Sequence, residues 1–246
     1  MIAYDKRTTM RIEAPPSMVQ LATEALMRML LSGKLQPGDR VVENQLTQEL
    51  GVSRPPLREA MRVLEQQGLI TQQPRRGAFV TQLTLHDIYE IVTLRRELER
   101  MAVDLGVPVR EPARLQRCHA ALDRHEAAAR SGDWLGVLEQ AVEFHSSVIG
   151  LSGHRRLEEA YRSIQLQMLL CMGMNRQARA SGESLVDDWD RHRRLLEVIE
   201  AGSPEAVHRE LAGHGDMTFL DDIEDRVGGH TPESLAWLKR VREGDT

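Results

Sequence analysis

Apolar residues recur along most of this chain at intervals of three and four, the spacing of helices with one buried face. Val19, Ala22, Leu26, Met29 and Leu30 share one side of a helix that Ser17 can cap and Gly33 stops. Gln36-Pro37-Gly38-Asp39 reads as a turn. A short helix follows over about 43–50, closed by Gly51, and Ser53 caps a third that runs to Gln67 before Gly68. The period then changes. Leu69-Ile70-Thr71 and Ala78-Phe79-Val80-Thr81 are β-prone, and the polar run from Gln72 to Gly77 joins them as a hairpin. After Thr84 the helical spacing returns. It predicts helices over 85–106, 111–131, 133–150, 153–179, 184–201, 204–226 and 232–242, with breaks at Pro108, Gly132, Gly150 to Gly153, Ser181-Gly182, Gly202-Ser203-Pro204 and Gly228-Gly229.

These elements predict a mainly α protein: a winged helix-turn-helix of three helices plus a β-hairpin, followed by an antiparallel bundle of six or seven helices. The expected division is a flexible tail over 1–16 ending in Pro15-Pro16, a first domain over 17–82, a helical domain over 83–228 and a C-terminal extension over 229–246. In that extension, Thr231-Pro232 opens a short helix. Its Leu235 and Leu238 are expected to pack on the bundle, and Trp237 there or at a partner surface. A chain of 246 residues is long enough for two cores.

Charge sharpens the division. The net charge is −5, but residues 1–82 hold 11 Lys+Arg against 8 Asp+Glu, and the remainder 21 against 29. A basic module joined to an acidic one suits a nucleic-acid reader coupled to a unit with another task. No apolar run approaches the roughly 20 residues of a membrane span, and the N-terminus lacks a signal peptide's apolar stretch. Two distant cysteines, Cys118 and Cys171, read as buried thiols, and a cytoplasmic location is expected.

The third helix carries the candidate nucleic-acid chemistry. Arg54, Arg58 and Arg62 recur every fourth residue as one basic stripe, opposite the apolar stripe Leu57, Ala60, Met61 and Leu64. A recognition helix presents such side chains to the major groove, although a solvated helix face has the same pattern. Arg75 and Arg76 at the hairpin tip, with Gly77 permitting close backbone approach, add a second contact region. The stretch Pro37-Gly38-Asp39-Arg40-Val41, the run from Leu46 to Ala60, then Leu64, Gly68-Leu69-Ile70 and Arg76 to Val80 resembles the GntR family of transcription regulators over about 65 residues. That resemblance implies DNA contacts by Ser53, Arg54, Arg58, Arg75, Arg76 and Gly77. Some members have an arginine early in the second helix, where this chain has Asn44.

In the helical part, His145, His192 and His214 each fall on the inward stripe of a different helix. Inward histidines are commonly hydrogen-bonded core residues, but three from three helices also suit a divalent metal such as zinc or nickel. Arg95 interrupts the inward stripe Ile88, Ile91, Val92, Leu98 and Ala102; its partner is either Glu99, one turn on, or an anionic ligand. Ile88-Tyr89-Glu90, Arg95, Leu98-Glu99, Phe144-His145, His192, Leu195-Leu196 and His214 resemble the all-helical FCD effector domain of FadR-like members. Metal-binding members carry Asp-x-x-Phe-His; here Ala141 replaces the Asp, and Glu143 points to the other side of the helix. His154 stands where members often have asparagine. A three-histidine ion completed by water or an effector carboxylate fits, as does a metal-free cavity.

The expected function is a regulator, not an enzyme: a homodimer on a palindromic operator, repressing or activating, whose DNA affinity changes when a small organic acid enters the bundle near Arg95. Two alternatives are a metal-dependent enzyme built on the three histidines and an effector-independent DNA binder. The first lacks a positioned general base, and the acidic second domain opposes the other.

Overall fold

The computed structural model describes residues 15–173, 184–214, 220 and 223–243. The expected N-terminal tail (all but Pro15 and Pro16), residues 174–179 of the helix at 153–179 and the Ser181-Gly182 break lie outside the described residues.

Helix α1 (Met18–Leu31) begins with a reciprocal cap: the Ser17 hydroxyl accepts from the Gln20 backbone N–H at 3.1 Å, and the Gln20 amide oxygen accepts from the Ser17 N–H at 2.7 Å. Strand β1 (Arg40–Val41) and helix α2 (Glu43–Leu50) follow, then α3 (Arg54–Gln66), whose Leu57, Ala60, Met61 and Leu64 are buried with Ala22, Leu26, Met29 and Leu30 of α1. Strands β2 (Ile70–Gln73) and β3 (Gly77–Val80) form the hairpin, with Ile70 opposite Val80 and Gln73 opposite Gly77. The small sheet has the order β1–β3–β2, one strand more than hydropathy indicates. Two residues carry no detectable period. β1 forms because β3 would otherwise leave an edge of unpaired peptide groups, and the Gly38 and Val80 N–H groups extend the pairing to the Val80 and Asp39 carbonyls.

The helical part comprises α4 (Leu85–Gly106), α5 (Pro112–Ser131), α6 (Trp134–Leu151), α7 (Arg155–Gly173), α8 (Leu185–Ala201), α9 (Pro204–His214), α10 (Ile223–Arg226) and α11 (Pro232–Arg242). Thr84 and Asp87 cap α4 reciprocally, and Gly132, in the left-handed region at φ +73°, turns α5 into α6. The helix expected over 204–226 is not one continuous α-helix: its described first part is α9, and Leu220 is not α-helical.

α4 packs against α6 and α7, and α8 against α5 and α9. One core cluster spans the two halves, and another lies within the helical part alone. The cluster that holds Leu26, Leu57 and Leu64 also contains Ile88 of α4, Met168, Leu170 and Cys171 of α7, Ile223 of α10, and Trp237 and Leu238 of α11. Leu31 of α1 is buried with Leu138 and Val142 of α6 and Leu169 of α7. In α11, Trp237 lies 5.8 Å from the Tyr89 ring of α4 and is buried within the chain, whereas Leu235 is 46% exposed, contrary to its expected packing role. Leu235 lies three residues before Leu238, but Trp237 turns the inward stripe away from it.

Candidate functional site

Three of the expected reading residues stand on the outer side of α3 and its N-cap. Ser53, Arg54 and Arg58 are exposed. Ser53 occupies the N-cap position with extended backbone, but its hydroxyl makes no cap hydrogen bond, a departure from the expected cap. Pro55 and Pro56 follow in the first turn; a proline there removes one of the N–H groups a cap would otherwise satisfy. Asn44, the position lacking an arginine, accepts from Arg54 Nη2 at 3.1 Å and so orients that guanidinium. Arg58 Nε donates to both Glu43 carboxylate oxygens, at 2.9 and 3.1 Å. Arg62, the third member of the stripe, pairs with Glu59 at 3.2 Å.

At the hairpin tip the Arg76 N–H donates to the Gln73 carbonyl at 3.0 Å, closing a turn with Pro74 second and Arg75 third. Arg75 adopts φ +63°, a left-handed conformation that turns of this kind normally give to glycine. The turn leaves Arg75 and Arg76 exposed, with Arg76 also over the Phe79 ring at 5.4 Å. Gly77 has φ +96° and borders the Arg40 side chain.

Inside the bundle, α6, α8 and α9 bring His145, His192 and His214 together. Each residue is at most 4% exposed, and one nitrogen from each lies within 4.8 Å of the others. Ring centroids are 4.7 to 5.3 Å apart. Burial lowers all three imidazoles from their ordinary titration range: His145 to about 4, with Arg95 adding to the effect, and His214 well below it, with the neighbouring His192 and His145 rings adding theirs. The rings are therefore neutral, the form that ligates a metal. Both nitrogens of His214 lack a hydrogen-bond partner among the described residues. Buried polar atoms of that kind call for an ion or water.

One turn before His145, Ala141 is buried and supplies only a methyl group, while Glu143 is exposed. Glu99 of α4 stands behind His145, with Oε1 3.0 Å from Nδ1. The same oxygen accepts from Arg95 Nε at 2.8 Å and from the Tyr161 hydroxyl of α7 at 3.1 Å. Burial alone would raise the Glu99 carboxyl; the charge of Arg95 and the nearness of His145 hold it below the usual carboxylate range. Arg95 thus has the partner Glu99, one of the two options its position allows.

Two site residues escape a reading of apolar stripes: His125 of α5 and Asp188 of α8, which with His192 form a second group of potential ligands. His125 has no exposed surface and continues the stripe Cys118, Ala121, Leu122. Asp188 lies one turn before His192, a spacing that could have marked it, but it follows Asp187, a capping residue, and reads as surface acid. His154 is exposed, and its Nδ1 accepts from the Leu157 N–H at 3.2 Å near the start of α7. A cleft of about 300 Å³ between α5, α6 and α7 is lined by Arg117, Arg124, Arg162, Glu143 and Tyr161, among others. The three histidines do not line it; Tyr161 links it to Glu99. Among the described residues, no helix is long and apolar enough to cross a membrane.

Comparison with known proteins places both halves. Residues 19–80 match the family described as bacterial regulatory proteins, gntR family, and residues 90–216 match the FCD domain. An HTH-type transcriptional regulator of Bacillus subtilis, YdhC, is 30% identical over 190 residues, 77% of this chain and 84% of its own. The Nta operon transcriptional regulator of Aminobacter aminovorans is 30% identical over 161 residues, 61% of this chain and 71% of its own. A solved GntR transcriptional regulator from a Rhodococcus species is 29% identical and superposes with a TM-score of 0.65, covering 86% of this chain and 97% of that one. The helix-turn-helix with its wing and the helical domain that follows make this chain a member of the GntR family of transcription regulators, of the FadR-like branch with an FCD effector domain.

Proposed function

We propose that Ser53, Arg54 and Arg58, with Arg75, Arg76 and Gly77 of the wing, read an operator, and that a small organic acid bound in the helical domain changes the affinity of that reading. Residues 17–82 are the reading head and 83–228 the sensor. The exposed cations on α3 and at the hairpin tip support the first part, because guanidinium groups serve both base edges and phosphates. A homodimer would present two such heads to a palindrome about one helical turn, roughly 34 Å, between half-site centres. A regulator of this kind works in the cytoplasm, where the chromosome is.

The observation that carries the sensor reading is the buried set of three neutral histidines, with both His214 nitrogens lacking hydrogen-bond partners among the described residues. That donor set fits a divalent ion such as zinc or nickel held by His145, His192 and His214. Bound there, the ion would supply Lewis acidity toward an anionic oxygen, and the methyl group of Ala141 leaves that role to a carboxylate from outside the chain. Arg95, held by Glu99 beside His145, adds positive charge on the same side. The test is fluorescence anisotropy with operator and scrambled DNA at about 150 mM salt, with and without small mono- and dicarboxylates. Operator preference that shifts with one of these acids is expected. Equal binding to both DNAs refutes the reading head, and operator binding that no acid alters refutes the sensor.

A further inference from the structure

We propose that Asp188, through its backbone carbonyl and with its carboxylate beside it, positions the His192 ring so that Nε2 is the nitrogen turned toward His145 and His214. This rests on the reading of that centre as an ion site.

Asp188 and His192 are one turn apart on one face of α8. The His192 Nδ1 lies 2.7 Å from the backbone carbonyl oxygen of Asp188 and 3.1 Å from its Oδ1. A carbonyl can only accept, so these contacts assign the proton to Nδ1 and the lone pair to Nε2. A metal-binding imidazole needs that arrangement: one nitrogen ligates while the other donates to an oxygen that fixes the ring.

The carboxylate is itself held in place. Arg191 Nη2 donates to Asp188 Oδ2 at 3.0 Å, and His125 Nε2 lies 3.3 Å from Oδ1 on the other side. The His125 ring is fully buried and meets His192 edge-on, centroids 4.7 Å apart. Because Ala141 cannot bring a carboxylate to the centre itself, anionic support comes from behind the rings. Glu99 stands behind His145 but is already engaged by Arg95 and Tyr161; Asp188 stands behind His192.

A second ion on His125, Asp188 and His192 is the competing use of the same atoms. The 3.1 and 3.3 Å separations agree with the about 3.0–3.4 Å between neighbouring ligands of an ion with bonds near 2.0–2.1 Å. Such an ion would need the lone pair of His192 Nδ1, which faces a carbonyl oxygen. The geometry therefore points to one ion and a supporting carboxylate.

The experiment titrates chelator-stripped full-length protein with Zn2+ against a competing chelator, and records 15N spectra of histidine-labelled protein. Wild type is expected to take up one equivalent per chain, with the metal-free His192 protonated at Nδ1. Asp188→Asn, nearly isosteric, is expected to weaken Zn2+ binding about 10–100-fold, while the backbone carbonyl keeps the His192 proton on Nδ1. Adding Ala141→Asp, which offers a direct carboxylate, should restore much of the affinity. No Zn2+ uptake by wild type overturns the ion reading itself. Uptake that Asp188→Asn leaves unchanged overturns the positioning role alone. Two equivalents, one of them lost in His125→Phe, assign the cluster to a second ion instead. The wild-type tautomer needs no variant: Nδ1 found unprotonated overturns the proposal even if Asp188→Asn does not fold.

Discussion

Glu99→Gln removes one charge from a buried ion pair in the helical domain. The Glu99 and Arg95 side chains are 8% and 18% exposed and meet at 2.8 Å. Losing one partner of such a pair costs about 3–5 kcal/mol, because the remaining charge stays buried without a counterion. Glutamine keeps an oxygen for Arg95 or Tyr161, which returns about 1 kcal/mol. The expected loss is therefore about 2–4 kcal/mol, or roughly 5–15 °C in Tm for a chain of this size. Urea unfolding followed by circular dichroism in excess chelator measures it without interference from bound ions. The matched control replaces all the partners, as Arg95→Met, Glu99→Leu and Tyr161→Phe, so that no buried hydroxyl is left unpaired; apolar groups of similar volume are expected to restore stability to near the wild-type level. A loss below about 1 kcal/mol for Glu99→Gln, or a combined variant no more stable than the single one, refutes the account of Arg95 as a buried cation held by Glu99.

Three further outcomes test the reading head. Ser17→Ala should cost about 1 kcal/mol of stability by breaking a reciprocal cap, whereas Ser53→Ala should change stability by less than about 0.5 kcal/mol yet weaken operator binding; denaturant melts and anisotropy separate the two. Arg75→Gly relieves a left-handed non-glycine residue, and a gain of about 0.5–1 kcal/mol in stability is expected alongside weaker DNA binding. Arg58→Ala should lower the slope of log affinity against log salt by about 0.9 if Arg58 contacts a phosphate, and should instead narrow the gap between operator and mismatched DNA by about 1–3 kcal/mol if it contacts a base edge.

How far these features can be read from sequence depends on which physical signal carries them. The bounds of α4 and α11 coincide with the expected 85–106 and 232–242 because Thr84 and Thr231 cap their starts by side-chain hydrogen bonds that act within four residues. β1 is missed because a two-residue strand is made by its partner and not by its own pattern. Periodicity turned His145, His192 and His214 inward, since each follows apolar residues at helical spacing. It could not bring His125 to Asp188, because that contact depends on how α5 lies across α8, and no local signal records a crossing. Ser53 shows the reverse error: a residue type suited to capping stands at the cap position, and the two prolines after it remove the need.

The common core described for Leu26, Leu64, Met168 and Trp237 has a consequence for anyone building chimeric regulators. A graft cut near residue 82, between the wing and α4, would separate residues that bury one another. Leu31 would lose Leu138, Val142 and Leu169, and the donor head would meet a surface shaped for a different α1. Exchanges that keep α1 with its own α6 and α7, and replace only the exposed residues of α3 and the wing, should preserve solubility while changing the DNA read. On the proposed reading, specificity in this chain is transplantable as a set of side chains, and the module beneath it is not.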